Sequence, residues 1–129
     1  MAHNIPLQDN LIVDKTFHFA ITILHLSQLL QDKRQFILAN QLQKSGTSIG
    51  ANTREAQNAE SIADFIHKFK IAAKEADETE YWLLLSCELI DKDLVTPLLI
   101  ELKIIQKILT KIIATSKNKL TNKQIDKSI

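Results

Sequence analysis

Both glycines of this chain, Gly46 and Gly50, stand four residues apart in one polar stretch, and the only prolines are Pro6 and Pro97. Across 129 residues almost nothing else breaks a helix or makes a tight turn. Leu, Ile, Ala, Lys and Gln dominate, a composition suited to a few long helices with short connections. The length fits one domain with a real core.

The glycines lie in Gln41–Glu55, QLQKSGTSIGANTRE. Gln41, Ser45, Ser48, Asn52 and Glu55 recur at steps of four and three, so on a helix they form one line. Beside it runs a second line, Leu38, Leu42, Ser45, Ile49, Asn52 and Ala56. The spacing therefore predicts an inner helix with a polar seam, its glycines allowing close approach of a neighbour at a cost of about 1 kcal/mol of propensity each. The same residues could make a glycine-rich loop, but no Gly-Lys-Ser/Thr follows and no strand pattern precedes it.

Before this stretch, two apolar stripes share one helix. Ile12, Phe19, Ile23, Leu26 and Leu30 form the first; Val13, Phe17, Ala20 and Leu24 form the second. Together they are wider than one core contact needs, which points to a subunit interface or a central position. Asp32 is the expected cap of the second helix, and Ser61-x-x-Asp64 reads as a capping box for the third, with Asn58 competing. The third helix has a core line of Ile62, Phe65 or Ile66, Phe69, Ala72 or Ala73, Ala76, Leu83 and Ile90. Asp93 or Thr96 is expected to cap the fourth, with Pro97 in its first turn and Leu98, Leu102, Ile105, Leu109 and Ile112 inward. Helices over about 7–31, 34–57, 60–90 and 94–115 imply an all-α, antiparallel up-down-up-down four-helix bundle over residues 1–116. Residues 1–6 read as a short tail, and 117–129 as a basic flexible one.

Formal charge is +1, but it is unevenly spread. Residues 58–90 hold three lysines against seven acids, and residues 91–129 hold eight lysines against four acids. Lys103, Lys107 and Lys111 form a ridge on the fourth helix, followed by Lys117, Lys119, Lys123 and Lys127. Clustered flexible cations are what phosphate contacts need, so this ridge is the best nucleic-acid candidate, with Arg34, Lys44 and Arg54 secondary. The competing reading is a solvated face that pairs with the acidic third helix. Tyr81-Trp82 offers no broad stacking platform, so binding is expected to be salt-sensitive and weakly sequence-specific.

Other chemistry finds little footing. The acids Glu75, Asp77, Glu78 and Glu80 have no Glu-x-x-His pair with which to build an inward metal site, so no metal or cofactor is expected. The single cysteine, Cys87, excludes an internal disulfide and a cysteine zinc site. No nucleophile, base and orienting acid can be placed together, so no enzyme activity is expected. No leader pattern and no apolar run of about 20 residues occurs, which makes the cytoplasm the expected location and excludes a membrane partner.

The central motif resembles a known family, the bacterial four-helix-bundle proteins encoded in intervening sequences of large-subunit ribosomal RNA genes. Their relatives include the accessory variability determinant of diversity-generating retroelements. The resemblance rests on Gln41-Leu42, Lys44-Ser45, Ser48-Ile49, Asn52 and Glu55, then Asp64-Phe65, and on IAAKEADETEYWLLL from Ile71 to Leu85. It spans about residues 8–113. Arg54-Glu55-Ala56 replaces a common Ala-Glu-Gly, and Gly50 stands where proline or another small residue is frequent, the mark of a subgroup. The resemblance implies a non-enzymatic homo-oligomer, characteristically a homopentameric barrel. In the retroelement branch it implies binding of nucleic acid (RNA or DNA) and of a reverse transcriptase. By this reading the polar seam holds helices or subunits together. Repetition by symmetry would multiply a weak lysine patch into an avid one.

Overall fold

The computed structural model describes residues 10–128, with side chains as far as Ile125. The expected tail at 1–6 and the helix start at Leu7 lie outside the described residues. Four helices follow one another: α1 Leu11–Asp32, α2 Phe36–Ala56, α3 Ile62–Leu89 and α4 Lys92–Ser128. They form a four-helix bundle in which α1 packs on α2 and α4, and α3 packs on α2 and α4. The diagonal pairs, α1 with α3 and α2 with α4, are not backbone neighbours.

Glycine positions the first pair. A methyl group on Gly46 would come within 2.7 Å of Ile23 Cγ2, and one on Gly50 within 3.2 Å of the Thr16 carbonyl oxygen. The α1 and α2 backbones approach because two side chains are missing there, as the spacing predicts. The first α1 stripe, Ile12, Phe19, Ile23, Leu26 and Leu30, is buried throughout. Leu38, Leu42, Ile49 and Ala56 of α2 meet it, with Phe69, Ala72, Ala76 and Leu83 of α3 and Val95, Leu102, Ile105 and Leu109 of α4. On α3 the open choices resolve to Ile66 and Ala72, while Phe65 and Ala73 are half-buried at the margin.

The helix ends show how a chain poor in glycine turns. Asn10 caps α1, its side-chain oxygen accepting from the Val13 amide. At the other end Arg34 takes φ 64°, the left-handed conformation glycine usually supplies. The Gln35 amide donates to the Leu30 carbonyl and the Arg34 amide to the Gln31 carbonyl, each at 2.8 Å, which satisfies the last carbonyls of α1. Asp32 therefore ends α1 and does not cap α2; its carboxylate accepts from Gln28 at 3.1 Å. Ser61 caps α3 as expected by accepting from the Asp64 amide, and Asp64 reaches back to the Glu60 amide. At α4 the cap is Asp91, which accepts from the Asp93 amide at 3.0 Å, in place of Asp93 or Thr96. The helix starts early enough that Pro97 falls in its second turn, where the missing N–H leaves the Asp93 carbonyl without its helical donor.

Two further expectations change. Asn52 is only half-buried, and Thr53 takes its place in the core line of α2 because the 3.6-residue period has drifted by that turn. The fourth helix does not stop at Thr115 but continues to Ser128. Residues 116–128 contain neither glycine nor proline, so nothing in the covalent chain ends the helix.

Candidate nucleic-acid interface

Lys103, Lys107 and Lys111 of α4 stand on one outer row. All three are exposed, and so are Lys117 and Lys119 further along. The near end of the row is compensated by α3. Lys103 Nζ lies 3.7 Å from Glu80, and Gln106 donates to both Asp77 and Glu80, at 3.2 and 2.9 Å. No described carboxylate lies within salt-bridge distance of Lys107, Lys111, Lys117 or Lys119.

The secondary cations do not join that row. Arg34 sits in the α1–α2 turn, and Lys44 and Arg54 are exposed on α2, diagonal to α4 across the bundle. Arg54 borders a shallow groove with Phe17, Ala20, Gly50 and Ala51, on the α1–α2 side. Lys44 faces α3, where its charge acts on Glu75. Burial, then the hydrogen bond and the charge of neighbouring Glu78, raise the Glu75 carboxyl above its ordinary value, while Lys74 and Lys44 pull it back.

The polar seam divides into three kinds of residue. Ser45 is buried and hydrogen-bonds Thr79 of α3 at 2.9 Å; Glu55 pairs with Lys68 of α3 at 3.1 Å. Ser48 and Asn52 turn back onto their own helix, bonding the carbonyls of Lys44 and Ser48. Gln41 is exposed. Within one chain, then, only Ser45 and Glu55 bridge helices.

The reading of the residues missed a larger feature, a groove of about 470 Å³ between the start of α2 and the end of α3. Phe36, Ile37, Trp82, Leu85 and Leu89 line it, with Arg34 at its edge. Ile37 is 81% exposed, far beyond what an isoleucine on a helix normally shows. The signal in the sequence was the apolar excess outside the core line, which the capping reading of this turn overshadowed. Of the second α1 stripe, Val13 is buried and Ala20 half-buried, while Phe17 is 40% and Leu24 43% exposed, with Ile21 exposed between them.

His18, Thr22 and Glu101 line one pocket between α1 and α4. The Thr22 hydroxyl donates to the Phe19 carbonyl at 2.7 Å, and His18 Nε2 lies 3.2 Å from Asp14, so no nucleophile–base bond is formed. Among the described residues no three His, Cys, Asp or Glu side chains gather as metal ligands, and no helix is long and apolar enough to cross a membrane.

The model of the 23S rRNA-intervening sequence protein family matches residues 8–111. The chain belongs to that family. A crystal structure of a protein of unknown function from the S23 ribosomal protein family of Bacteroides thetaiotaomicron superposes with a TM-score of 0.76 at 43% identity. The match covers 80% of this chain and 98% of that one. No curated protein matches the chain. The intervening-sequence frame thus contains the four packed helices, the polar seam and Lys103, Lys107 and Lys111, while Lys117 and Lys119 lie beyond it.

Proposed function

We propose that the protein is a non-enzymatic homo-oligomeric scaffold, a ring of five antiparallel up-down-up-down bundles, that holds RNA or DNA by its phosphate backbone. The observation that carries the reading is apolar surface on two different sides of the bundle. Phe17, Ile21 and Leu24 line α1, and Phe36, Ile37, Leu85 and Leu89 line the α2–α3 groove. Contiguous apolar patches of this kind mark interaction surfaces. Because the two patches differ, one copy's first patch on the next copy's second makes a heterologous contact, and such contacts generate rings when the rotation closes. Five is the number the family resemblance implies. The antiparallel order is supported by pairings that climb one helix while descending the next: Thr16 with Gly50 and Ile23 with Gly46, then Ser45 with Thr79 and Glu55 with Lys68.

Nucleic-acid binding is supported by the exposed α4 lysines, which a ring would repeat around one axis. No residue is assigned to catalysis and no cofactor is needed. A reverse transcriptase or another nucleic-acid enzyme is the partner the retroelement branch implies, and such a partner would be met in the cytoplasm. One observation favours a second reading, a protein-interaction module without nucleic acid: Lys103 is already engaged by Glu80, so part of the ridge serves the bundle itself.

Fluorescence anisotropy of labelled RNA and of its DNA counterpart, at about 50 and about 250 mM salt, separates the two. The scaffold reading expects micromolar or tighter binding that collapses at the higher salt. Absence of binding at both leaves only the second reading.

A further inference from the structure

The helical continuation of α4 changes the geometry of its lysines. Lys103, Lys107 and Lys111 are followed at the same four-residue step by Thr115, Lys119 and Lys123, and the sequence carries the step on to Lys127. On a continuous α-helix each step climbs about 6 Å and turns about 40° around the axis. One winding row replaces a short ridge and a separate tail.

The row runs off the end of the bundle. Ser116 and Lys119 border a groove with Ala59, Ser61 and Ile62, which mark the turn before α3. Beyond that level the side chains from Thr121 to Ile125 are all exposed. This overhang lies outside the family frame, which ends at residue 111. Its electrostatics differ from those at Lys103. At the near end α3 supplies Glu80 and Asp77, whereas no described carboxylate lies within salt-bridge distance of Lys117, Lys119 or Lys123. Residues 116–128 carry four lysines against the single acid Asp126.

We infer that this overhang is an arm, added to the family bundle, that grips the phosphodiester backbone of nucleic acid. The inference rests on the nucleic-acid reading above and says where on the chain the contact is made. Three observations narrow the ligand. No aromatic residue follows Trp82, so the arm has no face on which to stack a base, and it reads charge without sequence. Its apolar residues among the described side chains are Leu120, half-buried at the bundle end, and Ile125, so it lacks the continuous apolar face with which a helix enters a lipid surface. Lysines four apart on an exposed helix repel one another, and a helix without tertiary cover is marginal in water. A polyanion lying along the row removes that repulsion, so binding and helicity of the arm reinforce each other.

The test compares the full chain with two variants, K117Q/K119Q/K123Q on the arm and K33Q/K70Q/K92Q at three exposed lysines away from it. Glutamine keeps helix propensity, and native mass with circular dichroism checks that fold and assembly are unchanged. Binding to labelled single-stranded RNA and DNA of about 30 nucleotides is measured across salt, and binding to phosphatidylserine vesicles in parallel. The arm variant is expected to lose about tenfold or more in affinity, with the salt slope lower by about 2, while the control variant stays within about twofold. Binding by the arm variant equal to that of the wild-type chain overturns the inference and leaves the nucleic-acid reading standing. Failure of the wild-type chain to bind either nucleic acid overturns both. Binding to vesicles without binding to nucleic acid also overturns both.

Discussion

Thr79 of α3 and Ser45 of α2 hydrogen-bond through their hydroxyl oxygens at 2.9 Å, inside a core that exposes neither. The Thr79 oxygen also lies 2.7 Å from the Glu75 carbonyl, which can only accept. One hydroxyl has one hydrogen, so when Thr79 gives its own to Glu75, Ser45 supplies the hydrogen between the helices. Removing Ser45 therefore deprives Thr79 of a donor but not of its acceptor. Ser45→Ala is expected to cost about 1 kcal/mol and Thr79→Val about 1 to 2 kcal/mol. In a double-mutant cycle by urea denaturation the two should be less than additive, and full additivity would show that the bond contributes nothing.

Gly46→Ala sets helix propensity against packing. Alanine gains about 1 kcal/mol of propensity, but its methyl group meets Ile23 at 2.7 Å. Ile23 is fully buried and branched at Cβ, so it has little freedom to swing away. Overpacking of this kind costs about 1 to 3 kcal/mol, and a net loss of about 1 kcal/mol is expected from chemical denaturation.

Arg34→Gly should do the opposite. A left-handed conformation costs a residue with a side chain about 1 to 2 kcal/mol, part of which glycine returns as greater freedom of the unfolded chain. A rise in stability of up to about 1 kcal/mol is expected, readable as a shift of the urea midpoint with unchanged slope.

These residues also show what was legible. The first α1 stripe and the Ser61 cap were readable because periodicity and cap chemistry are local. So was the closeness at Gly46 and Gly50, since small residues one turn apart have few other uses. The surplus of the second stripe was visible too, and Phe17 and Leu24 remain on the surface. Arg34 was not legible as a left-handed residue, because no arginine announces that conformation. The extent of α4 was obscured for a different reason. Beyond Ser116 the helix has little to pack against and shows no apolar stripe, leaving the absence of breakers as its only trace. Thr53 and Thr79 are buried polar residues whose cross-helix partner, or lack of one, depends on neighbours brought in from elsewhere in the fold.

The pH response of Glu75 follows from its surroundings. Its carboxyl pKa is raised by burial and by Glu78, so the folded chain holds that proton more readily than the unfolded chain. The charged form therefore weakens the fold above the folded pKa, and this penalty disappears as pH falls below the ordinary value of 4.5. Glu75→Gln should melt higher than the wild type at neutral pH, with the difference shrinking as pH falls. A difference that is constant with pH would mean that the charge of Glu75 is not what the substitution relieves.

The central claim is that Phe17, Ile21 and Leu24 of one copy and the Ile37–Leu89 groove of another are covered in a ring. Native mass spectrometry of the 14.7 kDa chain, beside an Ile37→Lys/Leu89→Lys variant, tests it most directly. The account predicts a single species of about five chain masses for the wild type, and monomer with intact helicity for the variant. A wild-type chain that stays monomeric at micromolar concentration, or a variant that keeps the same assembly, would contradict it.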